Sequence, residues 1–449
     1  MIVHTLLIIA ACGQPAPDVP RPEVARPNIV VVSLDTVRWD HTSLSGYRHD
    51  TTPHLAALAA MPGATTFTMA FSDAAWSLPA YASIFTGRTV LSHGLGFLTM
   101  TLPAEQATLA EVLTAYGYHT HAWCSGPHLA PIMDLSRGFS AYEHTLRSAP
   151  LALATSEGLQ WLREERQKDT PFFLFLQGYD AHYPYRSPTL IGERFADTPH
   201  VGTNHCPGRV PERACGRIPA RGNKGKNLTT AERAHIVSHY DSAILYADYQ
   251  LGLITAALSE QGLLESTVLI ALSDHGEGLG EDGRFTHDVL IGDRVSHVPL
   301  VIRLPTDTPP RRWDGVVSLS GLVPTLMANL GLVPPSGADG AAFTMALTPG
   351  GAPTGEEVSR SASMCCYAVR TAEWSLEGER GPDGIDWALY AEGQGDDVAA
   401  DHPETVAVLR ATIADWPLDL GDLNVLNQEP AKELSGLKEA LQEGGYWKP

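Results

Sequence analysis

Positive charge is what this chain has least of: its 449 residues carry 31 Lys and Arg against 51 Asp and Glu, a formal net charge of -20. Such a chain repels phosphate backbones over most of its surface, which excludes nucleic acid as its natural partner. An anionic substrate has to be met by a local cation or a metal. Long apolar runs are also missing, since the stretch from Met1 to Cys12 is apolar but shorter than the roughly 20 residues that span a bilayer. Cysteine is sparse, six in all, and none has zinc-ligand spacing, because Cys365 and Cys366 are adjacent with no second pair nearby. No internal repeat is present, so the chain is not a repeat array. Its length leaves room for one large α/β domain and a smaller one.

The N-terminus is the first feature with a positive reading. Ile9-Ala10-Ala11-Cys12 closes the apolar run and resembles a bacterial lipobox, which makes residues 1–12 a lipoprotein-type signal and Cys12 the lipid-bearing residue. The segment departs from the usual signal in having His4 and no Lys or Arg before the apolar run. A Pro-rich linker, residues 13–26, follows. This predicts lipid anchoring in the bacterial cell envelope, with the membrane met only through that lipid. In an exported chain, Cys206 and Cys215 flank a short loop suited to a disulfide, while Cys124, Cys365 and Cys366 read as buried thiols.

Along the chain, three continuous apolar runs read as strands buried on both faces of a parallel sheet: Asn28 to Leu34, Phe172 to Leu176 and Thr267 to Leu272. Further strands are predicted at 118–124 and 298–304. Helices are predicted at 53–59, 109–116, 151–168, 230–261 and 318–331, giving an α/β fold built on a doubly wound sheet. Residues 186–230, rich in Pro, Gly, Arg and His, read as a long loop or insertion beside the site. After a Pro/Gly-rich stretch at 333–355, short strands near 367–370 and 373–376 and a helix at 403–414 suggest a small C-terminal α+β subdomain.

Each of the three apolar runs ends in polar chemistry: Asp35, then Asp180 and His182, then Asp274 and His275. The carboxyl ends of such strands are where α/β folds place ligands, and carboxylates with an adjacent histidine suit a hard divalent cation. Between the first two lies Trp76-Ser77-Leu78-Pro79-Ala80-Tyr81, read as a short helix with Ser77 at its N-cap and Gly87 at its stop. A hydroxyl there stands beside unpaired N–H groups and the positive end of the helix dipole.

The wording and order of these segments resemble the sulfatase family of the alkaline-phosphatase superfamily, over roughly residues 27 to 350. The segments are PNIVVVSLDTVRWDH, TTPHLAALA, WSLPAYASIFTG, FFLFLQGYDAHYPY, YDSAILYADYQLG, SDHGEGLGEDG, VPLVIRLP and VPTLMANLG. The resemblance implies an alkaline-phosphatase-like sandwich, a large mixed and mostly parallel sheet flanked by helices, at 27–350, with the subdomain and tail at 351–449. It implies that Asp35, Asp274 and His275 hold one divalent cation, calcium or magnesium. It makes Ser77 the nucleophile, His182 the histidine that meets the ester or its leaving group, and His287 a contact to the anion. The implied substrate is a small or glycan-borne sulfate or phosphate ester; the alternative is a surface binding protein that keeps the fold without turnover. His119, His121, His128 and His297 read as surface or satisfied core histidines.

The chain also departs from the family pattern. Within Cys/Ser-x-Pro-x-Arg, Ser77 and Pro79 fit but Tyr81 replaces the arginine that marks the residue for oxidation to formylglycine. Ser77 is therefore read as an unmodified serine, better suited to phosphoryl than to sulfuryl transfer. Thr36 stands where many relatives have a second aspartate, and the family's Gly-Lys-Trp-His stretch is absent. Arg38 is the residue available to substitute for a missing cationic contact.

Overall fold

The computed structural model describes residues 26–185, 230–281, 285–287, 292–353, 357–363, 366–381 and 384–416, with Pro188, Ile191, Arg194 and Phe195 besides. The signal, the Pro-rich linker, the Cys206–Cys215 loop and Cys365 lie outside the described residues, as does nearly all of 186–230.

The large sheet comprises β1 (Asn28–Leu34), β2 (Ala64–Phe71), β3 (His119–Ser125), β4 (Ala141–Thr145), β5 (Phe172–Gly178), β6 (Thr267–Leu272), β9 (His297–Arg303), β10 (Arg311–Trp313) and β11 (Val317–Ser318). A separate hairpin is formed by β7 (Gly278–Leu279) and β8 (Phe285–Thr286). Strand order is β10-β2-β9-β6-β1-β5-β3-β4, with β11 beside β2. All pairings are parallel except those of β9, which runs antiparallel to both β2 and β6. The sheet is thus mixed and mostly parallel, an alkaline-phosphatase-like architecture.

Period-two alternation assigns the central strand to two cores. Ile29 and Val31 join one buried cluster while Val30, Val32 and Leu34 join the other. Each such side chain contributes about 1.5–3 kcal/mol by leaving water. The first cluster takes α2 (Ser77–Thr86), α4 (Leu109–Ala115) and α8 (Leu322–Asn329); the second takes α1 (Pro53–Ala59), α5 (Leu151–Glu164) and the long α6 (Thr230–Glu260). Short turns of helix, α3 (Val90–His93), α7 (Asp293–Ser296) and α9 (Thr344–Leu347), fill connections.

Four antiparallel strands, β12 (Ser359–Ala362), β13 (Cys366–Arg370), β14 (Trp374–Gly381) and β15 (Gly384–Ala391), with α10 (Pro403–Ala411), form the C-terminal subdomain. It packs on Ala74, Ala80, Val90 and Phe97 of the main body. Its edge strand pairs with the chain just before Ser77, where Ala75 N–H donates to Ala362 O (3.2 Å) and Ala362 N–H donates to Asp73 O (3.0 Å).

Several elements were not legible from periodicity. The β2 segment is rich in threonine and small residues, and β4 is a half-buried edge strand, so neither carries the apolar run of a core strand. The helix predicted over 318–331 is shorter, because its first turn, Leu319–Gly321, is a 3-10 turn. No helix among the described residues is long and apolar enough to cross a membrane.

Candidate active site

Strand register builds the centre of the site. Ser33 pairs with Leu272 and Leu34 with Gly178, so one step beyond the strands Asp35 emerges between Asp274 and Tyr179. Asp274 Oδ1 accepts the backbone N–H groups of Thr36 (3.2 Å) and His275 (3.0 Å), and Asp35 Oδ2 accepts the Gln177 side-chain amide (3.2 Å). The second oxygens, Asp35 Oδ1 and Asp274 Oδ2, are buried with no hydrogen-bond partner. Ligand atoms of Asp35, Asp274 and His275 all lie within 4.8 Å of one another. His275 Nδ1–H donates to Gly276 O (2.9 Å), which leaves its Nε2 lone pair turned to the same point.

Two buried carboxylates with orphan oxygens repel each other and call for a cation. Burial, and then the charge of Asp274, hold the Asp35 carboxyl well above the ordinary carboxylate range. Two carboxylate oxygens and one imidazole nitrogen, with the remaining positions left for water or substrate, fit a hard divalent cation.

Ser77 Oγ lies 3.2 Å from His275 Nε2, at the same point. Its place in the helix differs from the expected cap: Trp76, in extended conformation, is the flanking residue and Ser77 opens the helix. Pro79 has no N–H for a hydroxyl at position 77 to accept, and the Ala80 N–H donates to Trp76 O (3.3 Å) instead. Ser77 is fully buried, and its hydroxyl turns to the carboxylate cluster instead of back onto its own helix.

Histidines close the other side. The His275 and His287 rings stand 4.3 Å apart, and His182 and His287 5.1 Å apart. His182 Nδ1–H donates to Tyr183 O (2.6 Å), and Glu277 Oε1 accepts from His287 Nδ1 (3.1 Å). Burial, then His287, pushes His182 down to about 3, and burial, then His275, holds His287 well below its ordinary value. Burial also pushes the Glu277 carboxyl up to about 7. Without substrate these rings are therefore neutral with their single N–H already donated from Nδ1, and each gains an Nε2–H to offer only when a bound anion's charge draws its pKa back up.

Four participants were not legible in the sequence. His128, read as structural, is buried at the end of β3 against Trp76 (5.3 Å), and burial together with His182, His287 and His275 opposes its charging. Tyr179 is buried against His182 (4.9 Å), Glu277 orients His287, and Gln177 orients Asp35. The available signal was position: Gly126-Pro127-His128 follows a parallel strand at the same rim as the other site residues. Gly126 itself is required there, with φ +81° and a Cβ that would meet the Tyr179 ring at 2.4 Å. By contrast, His121 stacks on Trp161 (5.0 Å) and His297 bonds Thr68 O (2.7 Å), both structural placements.

The departures have physical explanations. Tyr81 is fully buried and shares a hydrogen bond with Ser33 Oγ (2.9 Å), so position 81 carries no cation toward the site. The Thr36 hydroxyl donates to Asp35 O (2.7 Å) and lies outside the ligand cluster. Arg38 does not substitute for a missing cation: Asp40 (2.7 Å) and Glu281 (2.5 Å) bind its guanidinium, and Glu277 O accepts from it as well (3.1 Å).

Comparison with known proteins follows the same outline. A family model described as Sulfatase matches residues 27–332. An ulvan-active sulfatase of Formosa agariphila is 24% identical over 345 residues, covering 70% of this chain and 63% of that protein. Arylsulfatase K of Xenopus laevis is 28% identical over 264 residues, covering 53% and 47%. The match thus spans less than two thirds of either relative. Among solved structures, the phosphonate monoester hydrolase of Agrobacterium radiobacter superposes with a TM-score of 0.71 at 22% identity, covering 87% of this chain and 95% of that one. A protein solved with its substrate D-glucosamine-2-N,6-O-disulfate gives 0.72 at 18%, covering 90% and 100%.

Proposed function

The chain belongs to the sulfatase family, and from that premise we propose that it is a divalent-cation-dependent hydrolase of sulfate or phosphate esters with Ser77 as its nucleophile. The observation that carries this reading is the convergence of Ser77 Oγ, His275 Nε2 and two orphaned carboxylate oxygens on one buried point. The convergence supports catalysis over a binding-only role.

Calcium or magnesium held by Asp35, Asp274 and His275 would neutralise the ester's charge and acidify the Ser77 hydroxyl. Ser77 gives its hydroxyl proton to water as its Oγ forms a bond to sulfur or phosphorus and the bond to the leaving oxygen breaks. His182 gives that oxygen its proton, drawn toward the charged form by the anionic ester. Water releases the sulfate or phosphate and returns a proton to Ser77. Glu277 holds His287, and His287 with His128 offers N–H groups to the anion, the task that cationic side chains perform elsewhere in the family.

Tyr81, apolar in its surroundings and bonded to Ser33, supports an unmodified serine at position 77. A plain serine favours phosphoryl transfer, because a sulfated serine has no aldehyde to collapse to. The N-terminal lipobox-like run supports an envelope-anchored enzyme acting on small or glycan-borne esters. Metal-stripped protein assayed on aryl sulfate and aryl phosphate with calcium, magnesium or manganese tests the reading. We expect cation-dependent hydrolysis that disappears in Ser77→Ala; negligible rates in both proteins on both esters would overturn it.

A further inference from the structure

Given the reaction proposed above, we infer that Tyr179 is a further catalytic residue, whose hydroxyl donates a hydrogen bond to a non-bridging oxygen of the sulfuryl or phosphoryl group held beside Ser77. This role needs the anion of that reading but not Ser77 as its acceptor.

Tyr179 directly follows Gly178, the last residue of β5, whose register partner is Leu34. The same register that brings Asp35 to the rim of the sheet therefore brings Tyr179 beside it. The backbone there is pinned, because the Tyr179 N–H donates to Ala149 O (2.8 Å). On one side the ring meets His182 edge to face, with centroids 4.9 Å apart. On the other it lies against Gly126, where a Cβ would stand only 2.7 Å from the phenolic oxygen. The turn after β3 thus admits this ring because it carries a glycine.

The oxygen so placed is buried and has no hydrogen-bond partner among the described residues. Buried hydroxyls in native proteins are paired, and phenylalanine would fill the same space without the cost of desolvating one. Two neighbouring tyrosines show the ordinary case: Tyr81 shares a bond with Ser33 Oγ (2.9 Å), and Tyr240 donates to Thr36 O (2.7 Å). Tyr185 also has an unpartnered hydroxyl, but it lies against Tyr240 (5.2 Å) and the charge of Glu277, away from Ser77. Tyr179 instead faces the reacting centre. Burial, then the charge of Asp35, hold its phenol well above the ordinary pKa, and the Ser77 hydroxyl is near enough to act in the opposite sense. The phenol therefore keeps its proton and remains a donor. The rings of His182 and His287 gain a free N–H only by taking up a proton, whereas the Tyr179 O–H is ready without one. Its partner arrives with the substrate.

Calorimetric binding of inorganic phosphate and of inorganic sulfate to calcium-loaded protein tests this role, comparing Ser77→Ala with Ser77→Ala/Tyr179→Phe so that no turnover intervenes. We expect the anion to bind about 10- to 100-fold more weakly without the hydroxyl, the loss that accompanies one hydrogen bond to a charged group. Calcium affinity should be unchanged. Tyr179→Phe without metal or anion should melt no lower than wild type, since only an unpaired oxygen has gone. With Ser77 present, Tyr179→Phe should lower kcat/KM about 100-fold on aryl sulfate and aryl phosphate alike. Equal anion affinity in the two proteins overturns the role, as does a Ser77→Ala protein that binds neither anion. A Tyr179→Phe protein that melts lower than wild type overturns it as well, because the hydroxyl would then have a structural partner. The two readings fail separately. Aryl esters left intact by wild type, with phosphate binding still dependent on the hydroxyl, would remove the nucleophile and keep the contact; hydrolysis by Tyr179→Phe at the wild-type rate would remove the contact and keep the nucleophile.

Discussion

The two sides of the site are built differently. Asp35, Asp274 and His275 stand within three residues of neighbouring parallel strands, and the register that aligns Ser33 with Leu272 sets their spacing. His128, His182 and His287 come from three separate connections, after β3, after β5 and after β8, and are held by ring contacts and by Glu277. The carboxylate side is thus fixed by sheet hydrogen bonds and the histidine side by packing among loops. Loops vary at low cost to a fold, which fits the absence of the Gly-Lys-Trp-His stretch after β3; the other two departures, Thr36 beside the carboxylates and Tyr81 inside α2, fall on regular or buried structure.

Removing a carboxylate should have the largest effect. Asp274→Asn is expected to lower turnover about 1,000-fold or more, because several kcal/mol of charge stabilisation disappear with the cation. The same change should stabilise the metal-free protein. The Asp35 carboxyl, raised by burial and by Asp274, gives a stability contribution that is full at low pH and lost as pH rises above the ordinary carboxylate range. Metal-free wild type should therefore melt lower at pH 8 than at pH 5, and Asp274→Asn should shrink that difference. A metal-free variant less stable than wild type at pH 8 would break the contrast between the two sides.

On the histidine side, His182→Ala should reduce turnover about 100- to 10,000-fold on esters with poor leaving groups, the range of general acid catalysis. Esters with good leaving groups, which need no proton, should be spared. Cation affinity, measured by calorimetry, should stay unchanged. Glu277→Gln should cost less, about 10- to 100-fold, since it acts by orienting His287, and its effect should appear on both kinds of ester. A drop in cation affinity in either variant would show that the two sides are one unit.

The smallest effect concerns the scaffold beneath them. Asp180, pushed up to about 7 by burial, accepts the Leu151 N–H (2.7 Å) at the start of α5. Its folded-state value lies above its unfolded one, so its contribution is full below pH 4 and fades as pH rises through about 7. Asp180→Asn should gain stability relative to wild type by about 2–3 kcal/mol between pH 5 and pH 8, read from denaturant midpoints at the two values.

This division also decided what could be read before the structure. Asp35, Asp274, His275 and Ser77 were legible because each adjoins an apolar run or a proline-bearing helix start, features with a local signature. The sheet was legible for the same reason in its central strands. It was not legible at β2 and β4, where threonine content and edge exposure hide the pattern. His128, Tyr179 and Glu277 had no local mark at all: what makes them part of the site is which strand ends meet, a tertiary fact. Arg38 failed as a substitute cation because Asp40, two positions on, and Glu281, more than two hundred positions away in sequence, both claim it.

The proposed acceptor of the ester's group is unmodified Ser77. Acid-quenching the cation-loaded protein during turnover of an aryl ester, and weighing the peptide that bears Ser77, tests it directly. The expected peptide has serine mass, becomes heavier by one SO3 or HPO3 during turnover and stays unlabelled when the ester is omitted. A resting peptide lighter by two hydrogens, or steady turnover with the added group on another residue, would contradict it.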